Sequence, residues 1–347
     1  MAKVSYPRRL LLAETPPPIQ PLPRLSAYLG GPELWVKRDD LTGSVLSGNK
    51  IRKLEFALAQ ALAQKADVVI TAGGIQSNHC RATALCCARL GLKCHLVLRG
   101  SQAGAPDGNL LLDHLAGAEI SYFPKEVYST RQPELVQDLV DRYAAEGLKA
   151  YWIPVGASNA VGSWGYIRAW DELQAQSRRM KVTFDHVVSA IGSGGTMAGL
   201  IAGRAVSGEK SPKVWGVNVC DDEEYFRRDI TVILDELKKV YGLPLTKANA
   251  PINILDGYVG EGYAIPYDAE IESLKLAARL AGLILDPVYT GKGFHGMIQE
   301  IQKGRFKKKD KVLFLHTGGM FGLFPQRDIF GFDPPPPGKP DKGGSKK

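Results

Sequence analysis

Much of what this 347-residue chain lacks is informative. Its longest apolar run near the N-terminus is "LLLA", too short for a signal-peptide core, and no stretch approaches the roughly 20 apolar residues that span a bilayer. No membrane partner is expected. Cysteine is scarce: Cys80, Cys86, Cys87, Cys94 and Cys220 are odd in number and form no Cys-x-x-Cys pair. Reduced, mostly buried thiols follow, rather than a disulfide framework. The six histidines show no His-Glu-x-x-His or similar spacing, so no metal site is expected. No acid precedes Glu14, and "YPRRLLL" is basic but not enriched in serine. A cytoplasmic location is expected, with organelle targeting left open.

The formal net charge of +8 is concentrated in two places. "KGRFKKKDK" (Lys303 to Lys311) carries net +5, and the tail "DPPPPGKPDKGGSKK" carries net +2. A nucleic-acid binder builds its cations into a folded face, beside aromatics or a recognition helix. Here they read as a solvated loop and a disordered tail (332–347), and nucleic acid is not an expected partner.

What is present is an alternation of β-branched runs and helical patterns. Strands are predicted at 67–72, 93–98, 118–123, 150–154, 185–191, 213–219, 283–287 and 311–316. These mainly apolar runs do not alternate with polar residues, as in parallel sheets covered on both faces. The fold class is therefore α/β, with at least two open, mainly parallel sheets covered by helices. In such sheets ligands gather beyond the C-terminal strand ends, and four of those ends are unusual here.

"VVSAIGSGGTMAGLIAG" runs from a strand through Gly192, Ser193, Gly194, Gly195 and Thr196 into a helix of small residues. Such a turn aims several N–H groups at one anion, at the positive end of a helix. It is neither a Walker A loop nor Gly-x-Gly-x-x-Gly, since Met197 occupies the third glycine position. A phosphate cradle and a plain tight turn both fit. "AGGIQSNHC" places Gln76, Ser77 and Asn78 at the mouth of a helix, where they either cap it or seat a carboxylate. "LILDPVYTGKG" presents Tyr289 and Thr290, and "VLFLHTGG" ends a strand at Thr317.

"SGNKIRKLEFALAQAL" reads as a helix capped by Asn49, which puts Lys50, Arg52 and Lys53 in its first turn. Cations are unfavourable at that end unless an anion binds there. Neighbouring cations also disfavour protonation of Lys50, and a neutral lysine attacks aldehydes. A phosphate loop, an activated lysine and no metal or nucleotide motif together fit pyridoxal phosphate. Two other classes fit the pattern less well. A nicotinamide oxidoreductase would use Asp221 or Asp222 on a ribose, with the wrong glycine spacing. A non-catalytic binding protein would not need Lys50, Ser77 and Tyr289 together.

"GNKIRKLE", "GGIQSN", "GSGGT", "GEGYAIP", "LDPVYTGK" and "HTGG" occur in an order that resembles the 1-aminocyclopropane-1-carboxylate deaminase/D-cysteine desulfhydrase family, across residues 8 to 331. That resemblance implies a tryptophan-synthase-β-like fold (fold type II), a homodimer, and pyridoxal 5'-phosphate held between two domains. It further implies a large domain of 1–51 plus 162–331 and a small inserted one of 52–161. Lys50 matches the lysine that forms an imine with the cofactor. Lys53 and Gly192 to Thr196 match its phosphate site, and Asn78 lies by its ring hydroxyl. Ser77 matches a nucleophile or carboxylate-binding serine, with Gln76 and Asn78 beside it on the substrate. Tyr289 and Tyr263 match two active-site tyrosines, 26 residues apart as in that pattern.

Two positions divide the family. The deaminase has glutamate and leucine where this chain has Thr290 and Thr317, the desulfhydrase-like pair. A hydroxyl at the pyridine nitrogen makes a weaker electron sink than a glutamate. That suffices for losing thiolate but not for opening a cyclopropane. The resemblance implies D-cysteine desulfhydrase activity, a carbon–sulfur lyase reaction giving pyruvate, hydrogen sulfide and ammonia. Ring opening, or elimination from L-cysteate, β-chloroalanine or D-serine, are the alternatives.

Overall fold

The computed structural model describes residues 4–101 and 104–332. The expected disordered tail from 333 onward lies outside the described residues. In chain order the strands are β1 (Ile19–Pro21), β2 (Glu33–Lys37), β3 (Val68–Gly74), β4 (Lys93–Arg99), β5 (Glu119–Phe123), β6 (Ala150–Ile153), β7 (His186–Ile191), β8 (Lys213–Asn218), β9 (Ile254–Leu255) and β10 (Lys311–Leu315). The α-helices are α1 (Pro23–Leu29), α2 (Asn49–Ala63), α3 (Asn78–Leu90), α4 (Gly108–Leu115), α5 (Lys125–Ala145), α6 (Ala160–Met180), α7 (Gly195–Ser207), α8 (Glu223–Tyr241), α9 (Asp268–Ala281) and α10 (Thr290–Gln302).

Two sheets form, with strand orders β1-β2-β10-β7-β8-β9 and β5-β4-β3-β6. Every pairing is parallel except β1 with β2. The apolar runs behave as fully covered strands: Val68 to Ala72 and Cys94 to Leu98 are buried on both faces. This is the expected α/β architecture of mainly parallel sheets.

One predicted strand is absent. Residues 283–287 keep the alternation of a half-buried strand, with Leu283 and Leu285 inside and Ile284 exposed, yet pair with no ladder. Side chains satisfy the backbone there instead: His316 Nε2 lies 3.1 Å from the Ile284 carbonyl oxygen, and Thr290 Oγ1 accepts from Asp286 N. Pro287 then removes the next donor. Conversely β1, β2 and β9 were not predicted. Each is short, and β1 lies in the proline-rich "TPPPIQPLPRL".

The helix that carries Lys50 and the helix behind the glycine-rich turn share one backing, α6. Gly165 of α6 meets α2 so closely that a Cβ would stand 2.4 Å from the Arg52 carbonyl oxygen. Gly199 and Gly203 of α7 lie equally close to Tyr166 and Trp170 of α6. Small residues at these crossings bring the two helix N-termini toward one point. The ends of β3, β7 and β10 open at the same place. No helix among the described residues is long and apolar enough to cross a membrane. All five cysteines are free, and four are buried.

Candidate active site

Lys50 reaches this point because the chain turns sharply before it. Gly48, not Asn49, is the N-cap of α2, at φ +105°. A Cβ there would stand 2.7 Å from the Thr317 carbonyl oxygen, and Asn49 N donates to that same oxygen at 3.1 Å. Asn49 is already helical, and its side-chain amide donates to Thr196 Oγ1 at 3.0 Å. The expected cap thus ties α2 to the glycine-rich turn.

The three cations of this turn part company. Lys50 lines a pocket shared with Ser77, Asn78, Gly192 to Gly194, Thr196, Asp286, Tyr289 and Thr317. Burial pushes its amine down to about 8, against the pull of the Cys80 and Cys220 thiols. Neighbouring cations, the cause expected from sequence, are not what lowers it. Lys53, also buried, donates to Gly156 O at 3.0 Å and approaches Ser158 Oγ at 3.5 Å. Burial, then the charge of Lys50, hold it well below the ordinary lysine range. No carboxylate figures among the charges acting on either lysine. Arg52 points away, into a fork with Asp39 (2.8 and 2.9 Å) and a second contact with Glu172 (3.0 Å).

Around the glycine-rich turn the backbone is packed too tightly for side chains. A Cβ on Gly156, at φ +67°, would meet Ser193 Oγ at 2.4 Å and Lys50 Nζ at 3.3 Å. On Gly195 it would meet Ser158 Oγ at 2.8 Å and Lys53 Nζ at 3.0 Å, and on Gly192 the Tyr289 ring at 2.6 Å. Ser158 Oγ donates to Ser193 Oγ at 2.9 Å and accepts from Gly195 N at 3.3 Å. Two uncompensated lysines and the N-termini of α2 and α7 therefore surround a small polar cradle. This is a fit for a phosphate group and for an aldehyde within reach of Lys50.

Ser77 is both the cap of α3, accepting from Cys80 N at 3.2 Å, and part of the pocket wall. Asn78 lines the pocket while its Oδ1 accepts from Asn109 Nδ2 at 3.1 Å. Gln76 is turned elsewhere: its amide accepts from Asn109 N at 2.8 Å and donates to the Asp107 carbonyl at 3.0 Å. It braces the loop rather than presenting its side chain. His79 Nε2 lies 2.8 Å from Thr71 Oγ1, which itself donates to Ile153 O, while the residue also lines the pocket.

The two tyrosines meet, their hydroxyl oxygens 2.5 Å apart. Burial, then Tyr263, hold the Tyr289 phenol well above its ordinary value, and burial raises Tyr263 as well. Both keep their protons at neutral pH. Beside them Asp286, unnoticed in the sequence, accepts from Val288 N, Tyr289 N and Thr290 N and from Thr290 Oγ1 (2.6 Å). The signal was present: an aspartate before a proline, four residues ahead of a helix-opening threonine. Thr290 is buried with its hydroxyl committed to Asp286, so of the two diagnostic threonines only Thr317 reaches the pocket wall. A wider cleft of about 610 Å³, lined by Arg99, Tyr128, Tyr225, Tyr263 and Tyr289 among others, adjoins the pocket and has room for a small substrate.

Comparison with known proteins agrees with this geometry. A relative from Arabidopsis thaliana, the mitochondrial bifunctional D-cysteine desulfhydrase/1-aminocyclopropane-1-carboxylate deaminase, is 45% identical over 91% of this chain and 79% of its own. The crystal structure of an ACC deaminase homologue superposes with a TM-score of 0.84 at 36% identity, covering 93% of this chain and 95% of that one. A hydrogen sulfide-producing enzyme from Fusobacterium nucleatum shares the fold, with a TM-score of 0.64 at 16% identity over 88% of this chain and 95% of that one. Residues 10–318 match the family described as "Pyridoxal-phosphate dependent enzyme". With that match laid over the Lys50 pocket and its glycine-rich cradle, the chain belongs to the pyridoxal-phosphate dependent enzymes, and pyridoxal phosphate is its cofactor.

Proposed function

We propose that this enzyme is a lyase that eliminates sulfide from D-cysteine, releasing pyruvate, hydrogen sulfide and ammonia. The observation that carries the reading is a base beside an acid: the weakly basic Lys50 amine and the proton-retaining Tyr289 line one pocket, and Tyr263, in the adjoining cleft, shares a hydrogen bond with Tyr289. Pyridoxal phosphate supplies, when bound, a conjugated ring that accepts the electron pair left at the α-carbon. Lys50 would hold its aldehyde, and Lys53, Ser158 and the turn of Gly192 to Thr196 its phosphate. Asn78 and Thr317 would face its ring.

The substrate carboxylate is seated by Ser77, Asn78 and the first N–H groups of α3. Held there, the substrate's amine would replace Lys50 on the aldehyde, and the freed Lys50 amine would take the α-proton as general base. Tyr289 delivers a proton to the departing sulfur, and Tyr263 shares its hydrogen bond and replaces that proton. Asp286, which gathers three backbone N–H groups in the turn before α10, fixes where Tyr289 stands.

Ring opening of 1-aminocyclopropane-1-carboxylate is the second reading. The Arabidopsis relative's name includes that activity, and a carboxylate, Asp286, does line this pocket. Thr317, the one of the two threonines at the pocket wall, favours elimination. A pyruvate and sulfide assay across D- and L-amino acids and the cyclopropane substrate separates the two: D-cysteine is expected to give the highest kcat/KM. Faster turnover of the cyclopropane would overturn the assignment. The homodimer, the division into 1–51 plus 162–331 and 52–161, and a cytoplasmic location belong to the same proposal. Sedimentation, domain expression and imaging test them in turn.

A further inference from the structure

Lys292 lies on the first turn of α10, three residues after Tyr289, and its side chain is fully buried. It is not directed at the pocket. Its ammonium donates instead to the Val259 carbonyl at 2.6 Å and the Gly262 carbonyl at 2.7 Å. Both carbonyls belong to the irregular segment between β9 and α9, which carries Tyr263.

That segment has little to hold its shape by itself. Gly260, Gly262 and even Ala264 sit at positive φ, the last at +60°. A non-glycine residue there is strained and persists only where its surroundings impose it. Within the segment, one backbone bond recurs, from Ile265 N to Gly262 O at 3.3 Å. The acid that acts on Lys292 is Glu270 of α9, whose side chain is buried. A Cβ on Gly291 would stand 2.8 Å from Glu270 Oε1, which places that carboxylate beside the backbone of α10. Burial pushes Glu270 up and Lys292 down while each opposes the other's shift, and Asp286 and Cys220 are the further charges acting on the pair.

We propose that Lys292 is a positioning residue for the reaction: it ties the backbone of the Tyr263 loop to the helix turn of Tyr289, and so fixes the contact between the two hydroxyls. The inference rests on the acid role given to those tyrosines above. It assigns Lys292 no contact with cofactor or substrate.

The test is a double-mutant cycle on the holoenzyme with Lys292→Met, Tyr263→Phe and both, using the fastest substrate of the panel above. Lys292→Met should lower kcat roughly 10- to 100-fold with KM nearly unchanged, the scale of a misplaced catalytic group. In the Tyr263→Phe background the same change should cost less than about two-fold, because the positioned group is gone. Lys292→Arg should recover most of the loss. Hydrogen exchange of the holoenzyme, which needs no substrate, should show faster exchange of residues 257–265 in Lys292→Met and unchanged exchange over 192–197. Equal losses of kcat in both backgrounds, or an unaltered 257–265 segment, would overturn the proposal. Should the Met variant fail to fold, Lys292→Gln replaces it under the same criteria. Absence of D-cysteine turnover in the parent enzyme would count against the substrate alone, since the exchange readout still decides the role of Lys292.

Discussion

Two clusters of buried charge flank the first turn of α2, and the chain has completed them differently. On one side Arg52 is gripped by Asp39 and Glu172, Tyr166 donates to Asp39 at 2.6 Å, and Lys37 pairs with Glu172. Burial works to raise Asp39, yet Arg52 and Lys37 hold it below its ordinary value. On the other side Lys53 is fully buried and Lys50 partly so, with no carboxylate to answer them. Taking a cation out of water is costly unless a partner compensates it. A structural cluster finds that partner within the chain. A binding site leaves the place open for a ligand, and under the proposed assignment the phosphate end of the cofactor answers Lys53 while its aldehyde takes up Lys50.

The sharpest way to break this comparison is Lys50→Ala. It should abolish turnover, at least a 10²–10⁴-fold loss for a missing general base, and remove the borohydride-fixed pyridoxyl label from the peptide. A label retained elsewhere, with activity, would dissolve the distinction. Next comes a paired substitution. Arg52→Met removes the forked partner of buried Asp39 and one partner of half-buried Glu172, and should lower unfolding stability by about 3–5 kcal/mol in urea titration. Lys53→Met removes an uncompensated cation, so stability of the cofactor-free protein should hold within about 1 kcal/mol. Its cofactor affinity should instead fall about ten-fold, the scale of one charge-assisted bond. Equal destabilisation by both would show that the clusters are alike.

The smallest effect concerns pH. Burial disfavours the charged form of Lys50, so its neutral, reactive amine predominates above about 8 rather than above the ordinary 10.5. Uptake of pyridoxal phosphate by the cofactor-free protein should therefore accelerate as pH rises through 8 and level off beyond it. An increase that continues past pH 10 would mean that burial has not shifted the amine.

Most strands were legible because their apolar runs and glycine-rich ends are local properties. The error at 283–287 came from the same rule: Leu283 and Leu285 alternate as in a strand, but pairing needs a neighbour that periodicity cannot supply. Asn49 was read as a cap because asparagine before an apolar stripe usually is one, while its actual partner, Thr196, lies 147 residues away. Gln76 and Thr290 carry motif-like positions, yet distant loops and Asp286 claim their side chains. Lys292 was quoted within "LDPVYTGK" without a role, since nothing in the local sequence places the carbonyls at 259 and 262 above it.

By itself the sequence determined the covered parallel framework, the glycine-rich turn and the identity of the lysines, serine and tyrosines available for chemistry. Only the tertiary structure decided which two of three neighbouring cations stay unpaired, which threonine reaches the wall and which phenols keep their protons. The reason is physical: pattern and propensity act between near neighbours, whereas desolvation and charge pairing depend on Glu172, Gly156, Ser158 and Tyr263, groups that only folding brings alongside.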